Sequence, residues 1–281
     1  MNLQYNNLGK TDLEIIYNVF IDAFSNYQIK LDMSLEKFSN MMKRRSVDFN
    51  VSAGVFDGKN LIGFILNGKR IINKQLVAYD SGTGLLQKYQ GLKLAKKILE
   101  ENSKLLKQNN IDKYILEVLT SNEKALNLYK GYGFKIIRKF NCFKNINKYV
   151  SDFDSPKNIK ILKTNFLNID WIKLKKWCDF QPSWQNSITS IKNDNTKFSY
   201  VQAVLDTEVK GYGIIEIKTG DIPLLVIDNK FRDISLGSVI LKKLLKETTA
   251  SSLSVLNIPT NCTHITKFLE THKFNNFVQQ Y

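Results

Sequence analysis

Hydrophobic and polar positions in the first half of the chain follow helical spacing in some segments and strand-like spacing in others. Thr11 stands three residues before Glu14, as in a capping box, and apolar residues then recur at helical intervals, which predicts a helix from Thr11. A second helix is predicted over residues 34–42, and residues 51–67 are typical of a hairpin with its turn at 57–60.

The pattern after the hairpin predicts a strand over 75–86, a long helix, a strand over 113–119, a helix over 122–130 and a closing strand. With a short first strand before Thr11, the predicted order is β-α-α-β-β-β-α-β-α-β. This order is typical of the α/β (α+β) class.

The same order of patterns restarts after a polar stretch at residues 150–158. Residues 229–241 align with 87–99 without a gap, at an offset of 232 − 90 = 142 residues. Further along, Asn261 falls opposite Asn122 at an offset of 139. This weak but ordered repeat predicts two copies of one domain, residues 1–149 and 150–281.

Composition narrows the class of protein. Of 281 residues, 43% are hydrophobic and 24% charged, and no apolar run approaches the roughly 20 residues that cross a bilayer. The first residues show no basic segment followed by an apolar one. We therefore expect a cytoplasmic protein with no membrane partner.

Cysteine and histidine are scarce. The 3 cysteines lie far apart without a CxxC pair, which predicts reduced thiols and no metal site. A Ser-His-Asp or Cys-His centre would need His264 or His272, and no nucleophile-elbow glycine pattern accompanies either.

The net charge of +15 allows nucleic acid, lipid headgroups or a phosphorylated cofactor as partners. Basic residues are spread along the chain, and clusters such as 43–45 fall in helical patterns, where a solvated face is expected. Nucleic-acid binding would call for aromatic residues interleaved with lysine and arginine on one face, and no such face is clear. We expect no nucleic-acid partner.

The segment from Asp80 to Ala95 carries the first sign of chemistry. An apolar strand leads into a short loop containing Gly91, and a helix begins at once. The free backbone N–H groups of a helix's first turn favour a bound anion.

This segment resembles the pyrophosphate-binding motif of the GNAT superfamily of acyl-CoA N-acyltransferases, Arg/Gln-x-x-Gly-x-Gly/Ala. Lys93 replaces the middle glycine. The resemblance implies an acetyl-CoA cofactor, with backbone groups of Gly84, Leu85 and Leu86 along the pantetheine. The remaining cofactor-binding residues that it implies are Gln90, Gly91, Leu92, Lys93, Leu94, Ala95 and Asn122.

Residues 116–134 resemble the second motif of the same superfamily: an apolar strand, Asn-x-x-Ala-x-x-Leu-Tyr, and a Gly-Phe turn. Asn122 and Tyr129 are seven apart, so they share a helix face. By resemblance, Tyr129 is the general acid that protonates the departing CoA thiolate. The implied fold is two tandem GNAT-like domains, each a mixed central sheet flanked by helices.

The resemblance implies transfer of an acyl group to the amine of a small molecule or peptide by direct attack in a ternary complex. The general base is left open among Glu117, Asp80 and water, and the protein could be a monomer or a homodimer. Tyr129 could instead be a core aromatic, and Asn122 part of a helix start capped by Thr120 and Glu123. A non-catalytic acyl-CoA-sensing or partner-binding module is the alternative function, and aminoacyl transfer from tRNA is a further one.

The second copy departs from the motifs. Arg232 and Gly237 are retained, but Asp233 replaces Gly91, and Leu269 or Phe268 falls opposite Tyr129. A carboxylate there repels a diphosphate. We expect residues 150–281 to be non-catalytic, with segment 182–187 lining the acceptor pocket or a domain interface, or forming a helix-capping turn around Trp184.

Overall fold

The computed structural model describes residues 1–27, 32–154 and 157–281, in two compact units, Met1–Glu117 and Val118–Tyr281. Residues 155 and 156 of the polar stretch predicted as a linker lie outside the described residues. Within the described ranges, no helix is both long and apolar enough to cross a membrane.

Unit 1 is a five-stranded mixed sheet flanked by three helices. Its elements are β1 (Leu3–Asn7), α1 (Leu13–Phe24), α2 (Leu35–Arg44), β2 (Ala53–Asp57), β3 (Asn60–Ile72), β4 (Gln75–Leu85), α3 (Leu94–Gln108) and β5 (Lys113–Leu116). The strands lie in sequence order, antiparallel except for the parallel pair β4–β5. The order predicted for these elements is confirmed, and the elements after the short β1 were predicted from apolar patterns of their own.

The core of unit 1 forms where α1 and α2 pack on β3. Phe20 and Phe38 have ring centroids 5.0 Å apart, and Phe20 stacks on Phe64 at 5.7 Å. The start of α1 differs from the prediction: Asp12 occupies the N-cap position and no side chain caps the helix. The capping box assigned to Thr11 was therefore wrong.

Unit 2 begins with α4 (Glu123–Gly131) and β6 (Phe140–Asn145) and continues through the second copy. The later elements are β7 (Ile159–Thr164), α5 (Trp171–Trp177), α6 (Ile188–Asn193), β8 (Phe198–Leu205), β9 (Glu208–Glu216), β10 (Leu224–Ile227), α7 (Leu236–Lys246), β11 (Leu253–Pro259), α8 (Thr263–Thr271) and β12 (Asn275–Gln280). They form a four-stranded sheet, β10-β9-β8-β7, and a three-stranded sheet, β11-β6-β12.

β6 belongs to the first sequence copy but lies between two strands of the second. It pairs antiparallel with β11 on one edge and with β12 on the other. Residues 118–120 also join β12: the amide of Val118 donates to the carbonyl of Tyr281 at 3.0 Å, and the Tyr281 amide donates back at 2.8 Å. The compact units therefore divide at 117/118, while the repeat boundary at 149/150 stays a prediction from the sequence.

The two copies share backbone conformations at the predicted offset of 142. A 3-10 turn at Gln87–Tyr89 matches one at Asn229–Phe231. Lys93 and Ser235 both have φ 60° immediately before α3 and α7.

The offset at the next helix pair is 140, one more than predicted. The N-cap residues Asn122 and Cys262 have nearly equal angles, φ −88° with ψ 70° and 71°. Cys262, not Asn261, is thus opposite Asn122, and Leu269 is opposite Tyr129.

Candidate active site

A bulge in β4 separates this strand from β5. Leu66 pairs with Gly82 and Asn67 with Asp80, so Ser81 is an extra residue in β4. The ladder between β4 and β5 covers Val77–Asp80 and ends there. In unit 1, the bulge thus marks the point where the two parallel strands part.

Asp80 holds the bulge together. Its carboxylate accepts from the amide of Gly82 at 2.9 Å and from the hydroxyl of Thr83 at 2.6 Å. The side chain is buried, at 7% exposure. Of the two carboxylates considered as the base, Asp80 has both oxygens engaged in fixing the strand.

Glu117 follows β5 directly and is half-buried. The hydroxyl of Tyr79 donates to its carboxylate at 3.2 Å. Burial and the negative charge of Glu117 raise the pKa of Tyr79 well above its ordinary value, so Tyr79 stays protonated. The hydroxyl of Tyr79 therefore fixes the position of the Glu117 carboxylate.

Sequence reasoning missed two residues in this region, Tyr79 beside the carboxylate and Arg45 at the bulge. Tyr79 was read only as an apolar strand position, and Arg45 was placed on a solvated helix face. Arg45 instead donates to the carbonyl of the bulged Ser81 at 2.9 Å, in a partly buried contact. Neither role can be read from the local periodicity, because each depends on a partner 36 or 38 residues away in the sequence.

The strand end and the following turn hold the residues assigned to pantetheine. Gly84 lies against α1: a Cβ there would stand 2.8 Å from Ala23 Cβ and 2.9 Å from Phe64 Cζ. The amide of Leu86 donates to the carbonyl of Ile62 at 2.9 Å and is already engaged.

Gln90 braces the loop from within. Its side-chain amide donates to the carbonyl of Leu85 at 3.1 Å. Gln90, Gly91, Leu92 and Lys93 are exposed, whereas Leu94 is buried and anchors the start of α3. The loop is thus exposed to solvent, and the Gln90–Leu85 hydrogen bond and the buried Leu94 hold it at its two ends.

The start of α3 has the features of an anion site. Gly91 has φ 83° and Lys93 φ 60°, and no side chain caps the helix. No acidic residue lies in its first turn. A lysine in the left-handed region costs roughly 1–2 kcal/mol, so packing must impose this turn on the residue that replaced the motif glycine.

Asn122 caps α4, its side-chain oxygen accepting from the amide of Ala125 at 3.2 Å. The cap assigned to Thr120 and Glu123 was therefore wrong. The helix ends in a Schellman motif: the amide of Phe134 donates to the carbonyl of Tyr129 at 3.1 Å, and that of Gly133 to Lys130 at 2.9 Å.

Tyr129 is 9% exposed and packs edge-on against Phe134 at 5.5 Å between ring centroids. This is the apolar contact that accompanies a Schellman ending. The motif's Gly-Phe turn therefore fixes the tyrosine ring against Phe134. The catalytic role of Tyr129 stays a prediction.

His272 and Ser238 lie together but do not form a nucleophilic pair. Ser238 Oγ is 2.9 Å from His272 Nε2, and the amide of Ser151 donates to Nδ1 at 3.2 Å. The proton of the neutral ring is thus on Nε2, which donates to the serine. Burial lowers the pKa of His272, so the ring is a structural donor and cannot serve as the base of Ser238.

Segment 182–187 forms a turn around a buried tryptophan. Trp184 is 5% exposed and lies in a 3-10 turn, and the hydroxyl of Ser187 accepts from the amide of Ser190 at 3.2 Å to cap α6. The helix-capping interpretation is confirmed. A role in the acceptor pocket stays a hypothesis.

Comparison with known proteins agrees with this geometry. Residues 13–134 match the sequence model of the acetyltransferase (GNAT) family. No curated protein sequence matches the chain.

Solved structures share the fold over the whole chain. A GCN5-related N-acetyltransferase from Sphaerobacter thermophilus superposes with a TM-score of 0.74 at 10% identity, covering 99% of this chain and 94% of the other. A tandem GNAT protein from the clavulanic acid biosynthesis pathway gives 0.72 at 11% identity, covering 99% and 97%. A putative acetyltransferase from Pyrococcus horikoshii gives 0.67 at 14% identity, covering 100% and 89%.

Proposed function

Because residues 13–134 match the sequence model of the GNAT acetyltransferase family and the whole chain shares its fold with a tandem GNAT protein, we propose that this protein transfers an acetyl group from acetyl-CoA to an amine. The acceptor is a small molecule or a peptide. The transfer proceeds by direct attack of the amine on the thioester in a ternary complex.

The start of α3 is the single observation that best supports this proposal. A glycine with φ 83° leads into a helix whose first turn carries neither a side-chain cap nor an acidic residue. Free amides at a helix N-terminus stabilise negative charge. We assign the pyrophosphate of the cofactor to the amides from Gly91 to Ala95.

The edge of β4 beyond the bulge is assigned to pantetheine. Gly82 to Leu85 pair with β3 on one side, and the β5 ladder has already ended at Asp80. Since the Leu86 amide is engaged with Ile62, we assign the cofactor contacts to the backbone of Gly84 and Leu85 and to the carbonyl of Leu86.

Glu117 is the base that we favour over Asp80. An amine must lose a proton before or during attack, and a positioned carboxylate can accept it directly or through water. Both oxygens of Asp80 accept hydrogen bonds that fix the bulge, whereas Glu117 is half-buried at the end of β5. We propose Tyr129 as the acid for the CoA thiolate, by its place in the family motif.

Turnover of Tyr129→Phe tests the catalytic part of the proposal. The variant keeps the ring that packs on Phe134, and its free energy of unfolding is measured beside that of the wild type so that lost stability is not mistaken for lost catalysis. General acid–base groups contribute roughly 100- to 10,000-fold, and we expect kcat to fall in that range while CoA affinity stays nearly unchanged. Unchanged kcat would remove Tyr129 from the acid role.

Acceptors can be found by thermal-shift screening of amines in the presence of CoA, because a true acceptor stabilises the ternary complex beyond CoA alone. Tight CoA binding with no turnover on any stabilising amine would instead support the non-catalytic acyl-CoA-sensing module.

The second copy is proposed to bind no acetyl-CoA. Asp233 stands in place of Gly91 and has φ 62°, so the loop keeps its shape but carries a carboxylate. Titration of the full chain with CoA should give one site per chain. Two sites of similar affinity would contradict this assignment.

A further inference from the structure

In unit 2, the residues just before β10 bridge to β11 and the two strands then part, as β4 and β5 do in unit 1. A parallel bridge joins Asp221 and Ser254, with the amide of Ile222 donating to the Ser254 carbonyl at 2.8 Å. Past the bridge a cavity of about 360 Å³ opens between the strands, α7 and α8. Sites for small molecules have volumes of this order.

The walls of this cavity are apolar. They include Leu225, Leu241, Val255, Ile258, Ile265 and Phe268. The ring of Phe268 lies against the first turn of α7, 3.1 Å from where a Cβ on Gly237 would stand. Burying a polar group against such walls without a hydrogen bond costs free energy, so the enclosed part of a ligand must be apolar.

The mouth of the cavity already contains an anion. Asp179 Oδ1 is 2.7 Å from Arg232 Nη1, and Asp179 Oδ2 is 3.0 Å from His264 Nε2. Arg232 also donates to the carbonyl of Trp177 at 3.2 Å. The arginine that occupies the first position of the loop motif is thus paired within the protein. A diphosphate would have to displace Asp179.

A second carboxylate, that of Asp233, lies at the mouth without a partner among the described residues. Asp233 lines the cavity, is exposed, and has no hydrogen bond or ion pair with another described residue. Among the lining residues, Arg232 and His264 both contact Asp179, so neither of them offsets the charge of Asp233. This charge favours a cationic group.

We propose that this cleft binds a cationic amphiphile. An apolar chain enters between β10 and β11, and an ammonium head stays at the mouth beside Asp233 and Asp179. The binding is non-covalent and needs no cofactor. It does not depend on the acetyltransferase proposal, because its residues lie in the second copy.

Calorimetric titration of the full chain with decylammonium, decanol, decanoate and coenzyme A tests the proposal. We expect saturable 1:1 binding of decylammonium, weaker binding of decanol and the weakest binding of decanoate. Bound coenzyme A should leave decylammonium affinity unchanged. No saturable decylammonium binding, an equal or higher affinity for decanoate, or competition by coenzyme A would each overturn the proposal.

Asp233→Asn tests the charge. Asparagine tolerates the left-handed backbone at φ 62°, so the loop should keep its shape. The affinity for decylammonium should fall about twofold to fivefold, as for an exposed ion pair, and the affinity for decanol should not change. Asp206→Asn is the matched control, because Asp206 is an exposed aspartate with φ 46° outside the cavity. Equal affinities in the two variants would refute the role of Asp233.

Leu225→Phe tests the cavity, because a larger side chain on β10 fills part of it. The affinities for decylammonium and decanol should both fall at least about tenfold. Ile172→Phe, at a site 84% exposed on α5, is the matched control. If Leu225→Phe unfolds the protein, Ile265→Phe fills the same space from α8. Wild-type affinity in a folded cavity-filling variant would overturn the site.

Discussion

Three glycines, two in β4 and one in the loop before α3, allow one chemical change to be tested in three physical settings. Alanine at each position adds a single methyl group. At Gly82 the nearest neighbour of that methyl is Phe20 Cε2 at 3.4 Å, an ordinary contact. At Gly84 two carbon atoms, from Ala23 and Phe64, lie at 2.8 and 2.9 Å, and at Gly91 nothing lies within 4 Å but φ is 83°.

The magnitudes follow from these settings. Gly82→Ala should leave the free energy of unfolding unchanged or raise it by about 0.4–1 kcal/mol, because the unfolded chain loses freedom. Gly84→Ala should lower it by about 1–3 kcal/mol, because carbon atoms normally sit about 3.5–4.0 Å apart and either α1 or β4 must move. Gly91→Ala should lower it by about 1–2 kcal/mol through backbone strain alone.

Urea unfolding followed by far-UV circular dichroism is the suitable assay, because all 3 tryptophans (Trp171, Trp177 and Trp184) lie in unit 2 and cannot report on unit 1. CoA titration adds the functional readout. We expect at least about a tenfold loss of CoA affinity for the variants at Gly84 and Gly91 and none for Gly82→Ala. Wild-type stability of Gly84→Ala, or a loss of CoA affinity in Gly82→Ala that equals the loss in Gly91→Ala, would refute the reasoning.

Three further predictions concern unit 2. Asn122→Ala should lower the free energy of unfolding by about 1 kcal/mol in urea, because it removes the cap on α4, whereas Asn122→Ser should keep the cap. If CoA titration shows a lower affinity in both variants, Asn122 contacts the cofactor in addition to capping the helix. Lys273→Gly should raise the free energy of unfolding, measured in urea, by about 1 kcal/mol, because Lys273 has φ 60° after α8 at the position that a glycine, Gly133, occupies after α4. An unchanged free energy of unfolding would exclude backbone strain at that turn. Burial lowers the pKa of His272 in the folded protein below its ordinary value of 6.5, so just below pH 6.5 the unfolded state binds more protons than the folded state. The free energy of unfolding should therefore fall as the pH drops from about 6.5 through the pKa of the folded state. His272→Gln should flatten that fall in urea titrations at several pH values, and an unchanged slope would show that other groups cause it.

Much of the fold was readable from the sequence because its signals are local. The helices and strands of unit 1 after β1 have apolar patterns of their own. The loop with Gly91 keeps its shape in the second copy even with Asp233 and Ser235 in left-handed conformations. Alignment by identity placed Asn261 opposite Asn122, whereas the backbone angles place Cys262 there. A weak internal repeat therefore predicts which helices and strands correspond more reliably than it predicts which single residues correspond.

The candidate site was less readable because its side chains depend on contacts far apart in sequence. Asp80 looked as able to act as a base as Glu117 until the bulge showed both its oxygens in use. Arg45 binds a carbonyl 36 residues away, which no helical period indicates. The partners of β6 were equally hidden, since nothing in its pattern tells which strands it joins.

The position of β6 sets the timing of assembly during synthesis. Asn141 accepts a hydrogen bond from Gln279, 138 residues later, and both neighbours of β6 are made after the whole four-stranded sheet of unit 2. A nascent chain must therefore hold β6 unpaired until translation reaches β11, and with one open edge until it reaches β12, a state prone to wrong pairing. A fragment starting at residue 150 would lack the strand that separates β11 from β12, so activity or binding lost in such a fragment would report a broken sheet and not the absence of a site.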